Sequence, residues 1–364
     1  MRPEGPEERG GRDEGTARIV PPATDAPAPR AEAATATVAR VDDDAVVTTG
    51  PAARNARRRS WYGTKKHVKR AASAPLVAPV LHAVVERRSG TAAASRLPAP
   101  VTVRRVRGRV AGHEFTMLSP ARCVVAKELH WGGGRRPGAA DQLALEVFAR
   151  LVPGARTVLD VGAYTGVFSL VAALAEPSAR VHAFELVPAN AVALLDNLLA
   201  NDLLPHVEVH LAGVGRDGGT LRVPSGRGGS ALPDFLSTGE EAADGVLVPT
   251  TSLDALLDRT PGGTGPAVAK IDVEGAEGEV LRSGRRLLEA SRPDLLLELL
   301  PAADVPAVEA ALAGLGHRAL LVTDEALVEH DRPHADPVHR DWLLTTRTPE
   351  ELRRLGVPVR ALGT

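Results

Sequence analysis

From about residue 156 onward, short apolar runs alternate with segments whose apolar positions recur every three or four residues. The runs Thr157–Val161, Ala179–Phe184, Val207–Leu211, Ala267–Ile271 and Leu295–Leu299 have strand length. Helical spacing fills residues 166–176 and 189–202, and the second segment sets Ala191, Leu194, Leu195, Leu198 and Leu199 on one predicted face. A helix over Glu277–Glu289 precedes the fifth run. A helix near 306–315, a strand over His317–Val322 and a last strand over Trp342–Thr345 follow it. Alternation of this kind predicts an α/β fold with a doubly wound, mostly parallel, seven-stranded Rossmann-like sheet covered on both faces.

The upstream chain has a different texture. Val101-Thr-Val103, Val106 and Val110, then Phe115-Thr-Met117, predict a small hairpin turning at Ala111-Gly112. Gly132-Gly-Gly134 and Pro137-Gly138 form a loop before a helix carrying Leu143, Leu145, Val147, Phe148 and Leu151, which Pro153-Gly154 ends. Residues 72–88 read as an amphipathic helix with Leu76, Val77, Val80, Leu81, Val84 and Val85. The expected organisation is a disordered tail (1–60), a basic linker with that helix (61–99) and a β/helical extension (100–155). The α/β domain (156–348) and a short helical tail (349–364) complete it. Arg54 to Arg70 is densely basic around Trp61 and Tyr62. A solvated linker is the plainer reading, and an anchor for anionic lipid or nucleic acid the sharper one.

Composition narrows the function classes. Of 364 residues, 44% are hydrophobic and 24% charged, as in ordinary soluble domains, and a net charge of -1 gives no global attraction to nucleic acid. Cys123 has no second cysteine to pair with, which points to a reducing, cytoplasmic setting, and it reads as a small buried residue. No apolar run reaches the roughly 18 residues of a membrane span. The Pro-, Glu- and Arg-rich start lacks the features of a signal peptide.

A doubly wound sheet binds ligands at the carboxyl ends of its strands, so the first strand-to-helix turn is the place to look. It reads Asp160-Val-Gly162-Ala163-Tyr164-Thr-Gly166. Gly162 permits a positive φ and removes a side chain that would meet a ligand, while Gly166 lets the next helix start close to the sheet. Dinucleotide loops wrap a pyrophosphate and carry glycine where this chain has Asp160. A carboxylate there repels pyrophosphate and suits the cationic methionine end of S-adenosyl-L-methionine. A second strand ends in Phe184-Glu185-Leu186, and Glu185 can accept from both ribose hydroxyls. Asp160, Gly162, Ala163, Tyr164, Gly166, Glu185 and Leu186, with Asp272 further on, form the candidate cofactor set.

The fourth strand runs into Lys270-Ile-Asp272-Val-Glu274-Gly-Ala-Glu277. Four ionisable groups in eight positions at the mouth of the sheet make Asp272 the first candidate general base and Glu274 the second. Lys270 can hold Asp272 or a substrate oxygen, and Glu298 can face the same cleft. These carboxylates could equally hold a divalent cation, or simply pair with Lys270 and cap the next helix. Glu277 suits the first turn of that helix. The histidines add no metal case: His206 and His210 are too far apart along one strand to share an ion easily, and His182 reads as a packed strand residue. The loops over 119–138 and 225–245 are where acceptor-binding residues are expected.

The stretches Leu159–Ala163, Phe184-Glu185, Gly228–Ser230, Val248–Asp254, Lys270–Glu277 and Arg292–Glu298 resemble the FkbM family of methyltransferases in order and interval, over about residues 100–346. Leu300 stands where many relatives have a polar residue. The resemblance implies a class I methyltransferase fold and transfer from S-adenosyl-L-methionine to a hydroxyl of a natural product, sugar or glycan, in keeping with secondary metabolism. A nicotinamide-dependent oxidoreductase on a similar sheet and a non-catalytic cofactor-binding relative are the alternatives.

Overall fold

The computed structural model describes residues 74–224, 245–259 and 265–360. The tail over 1–60, the basic segment Arg54 to Arg70, Gly228–Ser230 and most of the 225–245 loop lie outside the described residues. The hairpin turns at the expected residues, but its first strand starts at Arg105, so Val101-Thr-Val103 lies outside it. β1 (Arg105–Val110) and β2 (His113–Leu118) pair antiparallel across Ala111-Gly112, both at positive φ as a tight two-residue turn requires. Two helices follow, α2 (Val124–Trp131) and α3 (Ala139–Leu151). The expected 119–138 loop thus contains a helix, capped by the Cys123 thiol, which accepts from the Ala126 amide. An earlier helix, α1 (Val77–Ser89), buries Ala78 and His82, while Leu76, Val77, Val80 and Val84 are exposed. The apolar face expected there is not the face that packs.

The core alternates as predicted through β3 (Thr157–Val161), α4 (Val167–Ala175), β4 (Arg180–Glu185), α5 (Pro188–Leu199) and β5 (Val207–Leu211). An excursion follows, built from β6 (Gly213–Val214), β7 (Thr220–Pro224) and β8 (Gly245–Thr251), which form a separate three-stranded sheet. Next come α6 (Leu253–Arg259), β9 (Ala267–Ile271), α7 (Glu277–Arg282), α8 (Arg285–Ser291) and β10 (Asp294–Glu298). The chain ends with α9 (Val305–Leu312), β11 (Arg318–Val322), β12 (Leu327–His330), β13 (Asp341–Thr345), α10 (Pro349–Arg354) and β14 (Val359–Arg360).

The sheet has nine strands, in the order β14-β12-β11-β13-β10-β9-β3-β4-β5, rather than the seven expected. It is also mixed. β5, β4, β3, β9 and β10 run parallel, but β13 enters antiparallel to both β10 and β11, and β12 is antiparallel to β11. The additions are β12 and β14, short and partly polar segments whose own pattern does not announce a strand. The helix expected over Glu277–Glu289 is two helices. Ser283-Gly284 interrupts it because α6 docks there: a side chain at Gly284 would strike Leu253, and Ser283 Oγ accepts from the Leu253 amide.

Alternate strand positions feed two cores. Val158, Val181, Ala183, Val268 and Leu296 face α3, α4 and α5. Leu159, Phe184, Ile271, Leu295 and Leu297 face α7, α8 and α9. The face of α5 is rotated from the one its leucines suggest: Leu195 and Leu199 are exposed, while Asn190 and Asn197 are buried. The reason is polar. Asn197 accepts from the Leu118 amide and donates to the Thr165 carbonyl. Asn201 accepts from the Thr116 amide and donates to its carbonyl, so its side chain pairs with β2 much as a neighbouring strand would. The hairpin is thereby tied to the loop after β3.

Asn197→Leu leaves a half-buried amide and a buried carbonyl unpaired, and should destabilise the protein by about 2–4 kcal/mol. Asn201→Ala, which also strands Thr116, should cost about 1–2 kcal/mol. Urea unfolding of the two variants beside the unmodified chain measures both; a loss in Asn197→Leu no larger than that in Asn201→Ala would refute the tie.

Candidate active site

The turn after β3 is wired to β4. The amides of Gly162 and Ala163 both donate to the Phe184 carbonyl at 2.9 Å. Glu185 completes the link. Its Oε2 accepts from the Tyr164 amide and its Oε1 from the Val187 amide, each at 2.7 Å, with Asn190 Nδ2 at 3.5 Å. Burial pushes the Glu185 carboxyl up to about 7 despite these donors. A carboxylate has about four lone-pair sites, so acceptor capacity remains after these contacts. Leu186 packs against Val187, Val223 and Val248 of the small apolar cluster at β7 and β8.

Positive φ recurs at Gly162, Tyr164 and Gly166. At Gly162 a Cβ would overlap the Asp272 carbonyl, and the Asp272 amide donates to the Val161 carbonyl at 2.9 Å. The group glycine makes room for is therefore the neighbouring loop's own backbone. Tyr164, though not glycine, takes φ 51°, and its hydroxyl accepts from the Val124 amide at the start of α2. Its phenol is pushed up to about 12 by burial. Cys123 meets Thr165 Oγ1 at 3.2 Å, and burial raises the thiol above its ordinary range.

Asp160 is 1% exposed and accepts from Ser169 Oγ at 2.6 Å. Burial raises its carboxyl to about 6, against the pull of Ser169 and Lys270. The sequence placed this carboxylate toward a ligand's ammonium; the structure gives it to the first turn of α4, with Lys270 directly across on β9.

Lys270 is 3% exposed. Its Nζ lies 3.0 Å from Asp341 Oδ1 and 3.9 Å from Asp272 Oδ2, and 5.5 Å from the centre of the Phe168 ring. Burial alone would lower the ammonium, but Asp341, Asp272 and Glu298 together hold it above its ordinary value. Glu298 lies opposite Asp341 in the β10–β13 register. Burial, the Asp272 charge and a hydrogen bond to Asp272 push its carboxyl up to about 9. Burial and the closeness of the two carboxyls thus favour a proton held on the Asp272–Glu298 pair, while Arg340 Nη1 lies 4.0 Å from Glu298 Oε1. Glu274 takes φ 55° beside Gly275 at 105°, and carboxylate oxygens of Asp272, Glu274 and Glu298 converge within 4.8 Å. Glu277 is buried; beyond any effect on the helix dipole, its Oε1 accepts from the Gly275 and Val273 amides and so shapes the loop.

Two participants were missed from the sequence. Asp341 starts a strand whose antiparallel entry cannot be read locally; its only signal is a charge directly before the apolar Trp342–Leu344. Arg136 is held by Glu128 at 3.0 Å and Asp141 at 3.3 Å, and the Asp341 charge also acts on it. The 119–138 segment therefore borders the acid cluster. The histidine reading also changes. His210 meets His182 across β4 and β5, with Glu208 between them, while His206 plays no part. His182 is packed as expected, and burial lowers it to about 4.

Residues 160–319 match the methyltransferase FkbM domain. No curated protein matches the chain. Among solved structures, the methyltransferase FkbM from Methylobacillus flagellatus is 18% identical over 52% of this chain and 43% of its own, with a TM-score of 0.35. The chain thus spans less than half the length of that protein. A precorrin-6y C5,15-methyltransferase from Geobacter metallireducens is 13% identical over 57% of this chain and 89% of its own, with a TM-score of 0.34. The ribosomal protein L11 methylase from Lactobacillus delbrueckii subsp. bulgaricus is 15% identical over 57% and 79%, with a TM-score of 0.33. Likenesses this distant assign no activity or substrate. No helix among the described residues is long and apolar enough to cross a membrane.

The carboxyl pair has a measurable signature. Because the folded state holds Glu298 at about 9 against an ordinary 4.5, the folded protein binds the extra proton between those values. Stability should therefore fall as pH rises through that window. Glu298→Gln should flatten the decline, leaving the weaker contributions of the same sign from Glu185 and Asp160. Thermal midpoints of both proteins across the window test this, and parallel curves would exclude a protonated Glu298.

Proposed function

Residues 160–319 match the methyltransferase FkbM domain, and from that likeness we propose that the protein transfers a methyl group from S-adenosyl-L-methionine to a hydroxyl of a small-molecule or glycan acceptor. The observation that carries this reading is the placement of two chemistries side by side at the carboxyl ends of the parallel strands. The Glu185-clamped turn follows β3 and β4, and the Lys270–Asp272–Glu298–Asp341 cluster follows β9 and β10.

The turn fits the cofactor better than it fits a dinucleotide. The Gly162, Ala163 and Tyr164 amides are already bonded to Phe184 and Glu185, so they form no cradle for a pyrophosphate. The Glu185 carboxyl, with acceptor capacity left over, favours a ligand with hydroxyls to be accepted. On this reading Glu185 holds the ribose, Gly162, Ala163, Tyr164 and Gly166 form the floor, and Leu186 borders the purine side.

When bound, S-adenosyl-L-methionine supplies an electrophilic methyl group. A hydroxyl is a weak nucleophile and must lose its proton during transfer. Asp272 is the acceptor of that proton, being half-buried at the mouth of the sheet, with Glu274 as the second carboxylate in reach. Lys270 supplies the positive charge within the cluster and keeps Asp272 and Asp341 oriented, acting as a positioning residue. The 119–138 segment, with Arg136, forms the acceptor side.

Calorimetry should detect S-adenosyl-L-methionine binding and none of NAD. Glu185→Ala should weaken that binding roughly 10–100-fold, the equivalent of losing one or two hydrogen bonds to a charged group. With methyl-labelled cofactor and lysate fractions of the source organism, the labelled product should be a methyl ether. Asp272→Asn should lower the rate of its formation by about 10²–10⁴-fold. A labelled amine would overturn the hydroxyl reading, and unchanged turnover in Asp272→Asn would remove that residue as base.

A further inference from the structure

Away from the methyl-transfer cluster, a cavity of about 580 Å³ is lined by residues of β4 and β5, the small sheet and α6. Three potential metal ligands stand on its wall: His182, Glu208 and His210. Their meeting follows from register. In the parallel β4–β5 pair His182 lies opposite Glu208 and Phe184 opposite His210. Residues two apart on a strand share a face, so all three ligands and Phe184 project from the same side. Phe184 stacks on the His210 ring, with centroids 4.4 Å apart and planes within 13°, which fixes the plane of that imidazole.

The spacing of the donor atoms is informative. His182 Nδ1 is 3.2 Å from His210 Nε2 and 3.3 Å from Glu208 Oε2, and Glu208 Oε1 is 3.7 Å from His210 Nε2. Zinc binds imidazole nitrogen at about 2.0–2.1 Å, which sets ligands at tetrahedral corners about 3.3 Å apart. The three separations cluster near that edge length. One proton on His182 Nδ1 can point squarely at His210 or at Glu208, not at both, whereas a cation between them engages all three donors. Two imidazoles and a carboxylate are a donor set suited to zinc and related divalent transition metals.

The geometry points to a divalent transition-metal site, of zinc type, held by His182 Nδ1, His210 Nε2 and the Glu208 carboxylate, with its fourth position open to the cavity. The site lies on β5, the outermost strand of the nine, and the ion would fasten that strand to β4 by side chains as well as by backbone pairing. An edge strand has hydrogen-bond partners on one side only, so a cross-strand clasp is of most use there. The inference is independent of methyl transfer, since the cluster of Asp272, Glu274 and Glu298 is a separate group of ligands.

The test uses the full chain stripped with a chelator and then titrated with zinc ion alone, by calorimetry and by elemental analysis after desalting. One ion per chain should bind and raise the thermal midpoint. His210→Gln and Glu208→Gln should each weaken binding by more than about 100-fold, because even outer-shell partners of metal ligands are worth roughly 10–100-fold. Asp272→Asn should bind zinc as the unmodified chain does. The Glu208 side chain is 65% exposed, so its replacement keeps the fold even if that of His210 does not. Absence of binding, or equal binding by Glu208→Gln and the unmodified chain, would overturn the site.

Discussion

A lysine ammonium that is 3% exposed cannot be left without countercharge, and the arrangement around Lys270 is the constraint on which the rest of this sheet depends. Its nearest partner, Asp341, is supplied by β13, the strand that enters antiparallel next to β10. Reversing that strand brings its first residue, rather than its last, to the carboxyl ends of the parallel strands. A parallel β13 would have placed Thr345 there and left Lys270 without its nearest carboxylate, Asp272 being 3.9 Å away. The mixed topology and the buried cation therefore require each other. The far half of the sheet, from β13 to β14, is tied through this contact to the half that carries the Glu185-clamped turn.

The same cluster explains why acidic groups can crowd the mouth of the sheet. Asp272, Asp341 and Glu298 would repel one another strongly if all were ionised in so dry a place. Lys270 offsets part of that repulsion, and a proton held on the Asp272–Glu298 pair removes more. On the proposed reading the remaining acidic character serves twice: it favours a cationic sulfonium nearby and gives Asp272 the capacity to accept a proton. Glu185 follows similar logic on the neighbouring strand. Its carboxyl is stabilised by two backbone amides of the turns it joins, so the group assigned to the ribose also fixes the shape of the loop that would receive it.

The parallel part of this fold was legible because each of its strands carries a complete signal, an apolar run followed by a turn residue. β3, β5 and β9 fall on the residues that the pattern marks, and β4, β10 and β11 shift by a single residue. What escaped depends on pairing. β12 and β14 are too short and too polar to signal alone, and β6–β8 carry exposed Val246 and Leu247 that weaken their alternation. The α5 face was misjudged for a related reason: leucines were counted as the buried side, while Asn197 and Asn201 were needed inside to satisfy the hairpin and the Thr165 carbonyl. In the candidate site, Lys270, Asp272 and Glu274 were visible within an odd run of charge, and Glu298 as an acid at the end of the next strand. Asp341 and Arg136 became partners only once strand direction and the path of the 119–138 segment were known.

The contrast between the two faces of the β4 strand end bears on which chemistry belongs where. On the α3–α5 side, Asp160 and Lys270 sit in a continuous apolar core and are satisfied by neighbours fixed in the fold, Ser169 for one and Asp341 for the other. On the opposite side, His182, Glu208 and His210 meet at the wall of a cavity where the sheet runs out and a three-stranded insert stands over it. Buried polar groups closed on one another hold structure together, whereas convergent donors facing open space remain able to take a ligand. The turn after β3, proposed to take the cofactor, lies between these extremes. Its amides are closed, yet the Glu185 carboxylate keeps unused lone pairs, so recognition there must proceed by accepting hydrogen bonds rather than donating them. That asymmetry separates a ligand with hydroxyls and positive charge from one with phosphates, and it follows from three amide bonds and one buried glutamate.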